Sequence, residues 1–156
     1  MTTSDERSLE DRIDEIESRT AIGELVAGYC EGVDRQNVER FVGLWHDDAA
    51  YLIPGGRGNF HGIAQIRESQ TVIAKAWKET YHWTTNHTVQ FESKDRAVGR
   101  SDVFAICKHH NDLISLVGGT YDDRYERRNG VWKFAERTVT RWFVSAGTDI
   151  QLLPPF

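Results

Sequence analysis

The sequence predicts an α+β fold: three N-terminal helices packed on one face of a strongly bent antiparallel sheet, with a cavity between them. Two observations predict it. Apolar residues recur at helical spacing up to Trp77, and from Tyr81 onward the period changes to two. The segment Thr120–Phe143 then reads as two long strands joined at Asn129-Gly130, a pair suited to a type I′ turn because both residues tolerate positive φ.

The elements follow in order. From Leu9, apolar residues at Ile13, Ile16, Ile22, Leu25 and Val26, with Tyr29 one turn on, predict helix. Thr20 divides it into a short lead and a longer second helix, and Gly28 and Gly32 weaken its end. Residues 34–37 form a loop, and Asn37 is the N-cap of a helix through Val38, Phe41, Val42, Leu44 and Trp45. A strand over 49–53 leads into a Gly-rich turn, PGGRGNFHG, which lacks the Lys-Ser/Thr ending of a phosphate-binding loop. A third helix covers 63–77. Four strands follow at 81–92, 96–109, 112–126 and 131–144, with turns at Lys94-Asp95, His110-Asn111 and Asn129-Gly130.

The last strand carries Arg137, Val139 and Arg141 on one face and Glu136, Thr138, Thr140 and Trp142 on the other. Two arginines beside apolar neighbours are costly in a sealed core, so they point to a polar cleft or to carboxylate partners. Trp45, Trp77, Trp83, Phe104, Trp142 and Phe143 read as core or cavity wall.

The bulk composition sets limits. The 156 residues fit a single domain over 1–156, with 1–7 fraying and 145–156 forming a tail. Hydrophobic residues make up 39% and charged residues 28%, as in ordinary soluble proteins. A net charge of -5 leaves no electrostatic footprint for nucleic acid. No apolar run approaches the roughly 18 residues of a membrane span. The charged start has no signal-peptide core, so Cys30 and Cys107 are read as free thiols of a cytoplasmic protein. His46-Asp47-Asp48 and His109-His110 lack the two-ligand spacing of a zinc or iron site, and no metal is expected.

Several segments together carry a resemblance. They are Tyr29-Cys-Glu-Gly-Val-Asp34, Phe41-Val-Gly-Leu-Trp-His-Asp-Asp-Ala49, His82-Trp-Thr-Thr-Asn86, Gly118-Gly-Thr-Tyr-Asp-Asp-Arg-Tyr-Glu126 and Asn129-Gly-Val-Trp-Lys-Phe134. In this order, over about residues 20–143, the chain resembles the SnoaL-like group of the nuclear-transport-factor-2-like (cystatin-like α+β barrel) superfamily. Within the group it is similar to the dehydrochlorinase, bile-acid dehydratase and scytalone dehydratase members, lyases that use a His-Asp pair and no cofactor. The resemblance implies that Asp34 and His82 take the dyad positions. It also implies that Arg137 matches the dehydrochlorinase arginine, and Arg141 and Tyr29 match the bile-acid dehydratase arginine and tyrosine. Two positions depart from the pattern: Tyr29 stands where the dehydrochlorinase has lysine, and Ala105 falls where the bile-acid enzyme has an aspartate. Members of this kind associate through the open sheet face, so a homo-oligomer, trimer or dimer, is expected. The apolar tail IQLLPPF over 150–156 is a candidate contact or cavity cover.

These residues suit acid–base chemistry. His82 is the candidate general base, with Asp34 fixing its tautomer and stabilising the imidazolium. Tyr29 and an arginine, Arg137 or Arg141, are candidate donors to developing negative charge. The expectation is a cofactor-independent dehydratase or dehydrohalogenase acting on a cyclic, largely apolar small molecule. A ketosteroid-isomerase-like proton-transfer enzyme and a non-catalytic ligand-binding protein are the alternatives. Structural roles stand beside each assignment: His82 as a satisfied strand histidine, Asp34 as a loop cap, Tyr29 as core, and the arginines paired with Glu136, Asp102 or Asp122. Tyr29 and Asp34 are five positions apart, about 140° around a helix, so they share a cavity only if the helix ends near Gly32.

Overall fold

A computed structural model of the chain describes residues 7–150. The first helix, α1, runs unbroken over Leu9–Asp34. Thr20 does not divide it, because its hydroxyl bonds back to the Ile16 carbonyl at 3.0 Å and is satisfied within the helix. Leu9, Ile13 and Ile16 are exposed, and the buried stripe begins at Ile22 and continues through Leu25, Val26, Tyr29 and Val33. Nor does the helix stop at Gly32. That glycine is a packing position: an added Cβ would lie 3.0 Å from the Phe41 backbone.

The end of α1 is a Schellman motif. Gln36 adopts φ 52°, its N–H donates to the Val33 carbonyl at 3.1 Å, and the Asn37 N–H donates to the Gly32 carbonyl at 2.8 Å. Asn37 then caps α2 (Val38–Gly43), its side chain accepting from the Arg40 N–H. Trp45, expected at the end of that helix, instead opens β1 (Trp45–Ile53) and is 1% exposed. The Gly-rich segment is not only a turn, because Gly58–His61 forms β2, paired antiparallel with β1. Helix α3 (Gly62–Ala76) follows, then β3 (Glu79–Ser93), β4 (Arg96–Lys108), β5 (Ile114–Arg128) and β6 (Val131–Val144). Asn129 and Gly130 have φ 52° and 78°, as the two-residue hairpin requires.

The six strands make one sheet in the order β2-β1-β6-β5-β4-β3. It is mixed rather than wholly antiparallel as expected, since β1 runs parallel to β6. This non-local pairing leaves no mark on the period of either strand. One sheet face buries the α1 stripe with Phe41, Trp45, Tyr51, Tyr121, Tyr125 and Phe134. On the other face, Trp83, Phe104, Trp142 and Phe143 are exposed, which corrects their reading as core or cavity wall. Trp77 lines a cavity as expected. Among the described residues no helix is long and apolar enough to cross a membrane. Of the expected frayed start over 1–7 and tail over 145–156, residues 1–6 and 151–156 lie outside the described residues.

Candidate active site

Asp34 is the last residue of α1, where the helix dipole disfavours a negative charge by roughly 0.3–1 kcal/mol. Three donors offset that cost. The Thr80 hydroxyl reaches Asp34 Oδ1 at 2.9 Å, the His82 backbone N–H reaches Oδ2 at 2.7 Å, and His82 Nδ1 lies 2.5 Å from Oδ1. A carboxylate on Nδ1 makes that nitrogen the N–H donor, which leaves Nε2 with the free lone pair. Period-two geometry on β3 aims Thr80 and His82 to one face.

His82 opens on a cavity of about 90 Å³ whose wall includes Tyr29, Tyr51, Trp77, Tyr121 and Arg141. A second pocket, of about 460 Å³, shares Val33, Ile73, Trp77 and Thr80 with it. Asp34 is not in the cavity wall; it holds His82 from behind. Helix α1 ends at Asp34, two residues past Gly32, so Tyr29 reaches the cavity from the helix flank and Asp34 acts from its tip.

The Tyr29 hydroxyl lies 2.7 Å from the Tyr51 hydroxyl. Burial, then the neighbouring Tyr121 and Tyr51, push the Tyr29 phenol well above its ordinary value, and burial raises Tyr51 as well. Both are therefore neutral hydroxyls. One of the pair's two protons is used between them, and the other is the candidate donor to a ligand.

The two arginines share the inner face of β6 but differ in surroundings. Arg137 is sealed in, its Nε and Nη2 each 2.7 Å from a carboxylate oxygen of Asp123. Its guanidinium carbon sits 4.2 Å from the Tyr29 and Tyr121 ring centres and 4.4 Å from that of Phe134. Burial alone would lower its pKa, and Asp123 more than offsets this and raises it. The partner is thus Asp123 rather than Glu136, Asp102 or Asp122. Asp122 pairs with Arg100, and Asp102 accepts from Asn86. Arg141 is half-buried and belongs to the cavity wall.

Sequence reasoning missed Tyr51, Tyr121, Thr80 and Asp123. Tyr51, Tyr121 and Asp123 read as ordinary strand residues, and Thr80 falls just ahead of the strand expected over 81–92. The candidate metal groups are engaged elsewhere: His46 with the Glu126 carbonyl, Asp48 with Arg128, and His109 with Ser115.

The chain as a whole matches a known family. Residues 14–138 match the SnoaL-like domain. The chain belongs to the SnoaL-like domain family. It is 31% identical over 146 residues to the gamma-hexachlorocyclohexane dehydrochlorinase of Sphingobium indicum, covering 92% of both chains. The crystal structure of a type 2 hexachlorocyclohexane dehydrochlorinase (LinA) superposes with a TM-score of 0.87 at 30% identity, over 92% of this chain and 98% of that one. A protein with a cystatin-like fold from Nostoc punctiforme shares the fold at TM-score 0.69 and 20% identity, over 79% of this chain and 90% of that one. Within this SnoaL-like frame, Ala105 stands directly across from His82 on the neighbouring strand and supplies no second acid.

Proposed function

We propose that this SnoaL-like protein is a cofactor-independent lyase, a dehydratase or dehydrohalogenase of a cyclic small molecule. The observation that carries the reading is the Asp34–His82 contact of 2.5 Å with His82 facing the cavity. His82 Nε2 takes a proton from a substrate carbon. The C–H electron pair forms the new double bond, and the leaving group on the adjacent carbon departs with its own bonding pair. Asp34 stabilises the imidazolium that results. The free proton of the Tyr29–Tyr51 pair goes to the departing oxygen in a dehydration, or is donated as a hydrogen bond to a departing halide. Arg137 acts one step back, stacking on the Tyr29 and Tyr121 rings and so fixing where those hydroxyls sit.

The similarity to dehydrochlorinases favours elimination over isomerisation. The test is a screen of cyclic hydroxy and halo compounds, reading released halide or the absorbance of the new alkene, with His82→Ala as control. Elimination that requires His82 supports the reading. A double bond that shifts without loss of a leaving group, or turnover unchanged in His82→Ala, overturns it. We further propose that the chain forms a homo-oligomer through the exposed aromatic side of the sheet.

A further inference from the structure

We propose that Arg141 forms an anion subsite and that the substrate of this cavity carries a carboxylate, an inference that rests on reading the cavity as a substrate site. Arg141 is the one fixed charge in the cavity wall, and no carboxylate lines it among the described residues. On the same face of β5, Asp123 is taken by Arg137, while Asp122 lies on the opposite face and pairs with Arg100. Asp34, on the far side, is committed to His82 and Thr80. Across β5, Arg141 faces Gly119, which offers no side chain.

The surroundings increase the cost of this charge. Burial, and then the like charge of Arg57 on the β1–β2 connection, lower the Arg141 pKa. A guanidinium stays charged in proteins, so its half-buried part carries a desolvation cost that only a partner charge offsets. Nothing in the cavity wall balances it, and a ligand anion would. The planar donor fork matches a carboxylate through two parallel hydrogen bonds. Arg141 is on β6 and His82 on β3, three strands apart in the sheet. The fitting ligand is therefore bifunctional, with its acid group at one end and its reacting C–H bond at the other. This adds an acid group to the cyclic, largely apolar ligand that the sequence leads one to expect.

The test uses calorimetric titration of the full chain with cyclohexanecarboxylate and with its neutral isostere cyclohexanecarboxamide. The acid is expected to bind on the order of tenfold or more tighter than the amide. Arg141→Gln should abolish that difference and Arg141→Lys should keep part of it. Equal affinity for acid and amide overturns the inference, as does a preference that survives Arg141→Gln. Should Arg141→Gln fail to fold, the acid–amide comparison on the wild type and on Arg141→Lys decides. Sodium chloride at matched ionic strength is titrated in parallel, and displacement of the acid by sub-millimolar chloride assigns the charge to a departing halide and also overturns the inference. His82→Ala separates the two proposals. An acid preference retained while turnover is lost supports both. Turnover retained with the preference intact overturns the lyase reading alone.

Discussion

Asp123 on β5 and Arg137 on β6 face each other directly and pair through two bonds of 2.7 Å with no exposed side-chain surface. The pair sits beneath the tyrosines of the cavity rather than in it. Its Arg137 Nη1 has no hydrogen-bond partner among the described residues, so the aromatic faces around it are the guanidinium's remaining compensation.

Breaking this pair from one side should be costly. Asp123→Ala leaves a buried guanidinium unbalanced and is expected to destabilise the fold by about 3–5 kcal/mol. The double variant Asp123→Leu with Arg137→Met removes both charges and should recover most of the loss. Urea unfolding of the three proteins checks this. A single variant within about 0.5 kcal/mol of wild type would show that the pair contributes little.

Removing the proposed base, His82, should affect chemistry, not folding. His82→Ala is expected to lower kcat by at least about 10²- to 10⁴-fold, while the melting temperature changes little, because His82 is partly exposed and outside the core cluster. Asp34→Asn keeps acceptor geometry for Thr80 but loses the charge that stabilises an imidazolium. It should therefore lower kcat with little effect on KM. Rates measured on any substrate found by the screen decide; an Asp34→Asn defect confined to KM would point to a binding role.

Tyr29→Phe keeps the ring over Arg137 and removes the hydroxyl that meets Tyr51. The expected loss is on the order of 10²-fold in kcat, the scale seen for one donor to developing charge. Tyr51→Phe should give a similar loss, since either deletion breaks the same pair. Kinetics on the two single variants and the double variant test this, and fully additive losses would show that the hydroxyls act separately.

Much of the candidate site's layout is legible in the sequence, for identifiable reasons. Asn129-Gly130 announced its hairpin because the turn imposes positive φ on both residues. The shared face of Arg137, Val139 and Arg141 followed from strand period alone. The partner of Arg137 did not. Counting six residues back from Arg128 and six on from Val131 puts Asp122 opposite Arg137, and a bulge at Ala135 moves the register by one to Asp123. Strand β2 was hidden by its glycines, and the β1–β6 pairing is a contact between distant segments that periodicity cannot encode. Asp34 and His82 are 48 positions apart and were linked through family resemblance, not spacing.

The cavity thiol predicts alkaline sensitivity. Burial pushes Cys107 from its ordinary 9.0 up to about 11. A group that holds its proton more tightly when folded contributes stability that is complete below about pH 9 and is lost as pH rises toward 11. Thermal melts between pH 8 and 11 should fall, and Cys107→Val should lessen the fall. The rest comes from the buried phenols of Tyr29, Tyr51, Tyr121 and Tyr125, which are raised with the same sign. Ellman's reagent at neutral pH should label Cys107 slowly in the folded protein and quickly after denaturation. Rapid labelling of the native thiol would contradict the burial that raises it.

The outer side of the sheet predicts self-association. Trp83 lies across from Phe104, their rings 6.2 Å apart. Phe104 lies across from Gly118, and the Phe143 ring lies over that glycine, 2.5 Å from where a Cβ would stand. The three rings thus form a row spanning four strands, β3 to β6, with Trp83 52% exposed, Phe104 41% and Phe143 50%. A contiguous apolar surface of this kind is costly to leave in water and is a frequent site of association. Phe104→Glu with Phe143→Glu places two like charges in the row and should convert the oligomer to monomer, leaving the inner cavity unaltered. Light scattering on both proteins is the measurement. A wild type that is monomeric at tens of micromolar, or a variant of unchanged mass, would assign the row to another partner.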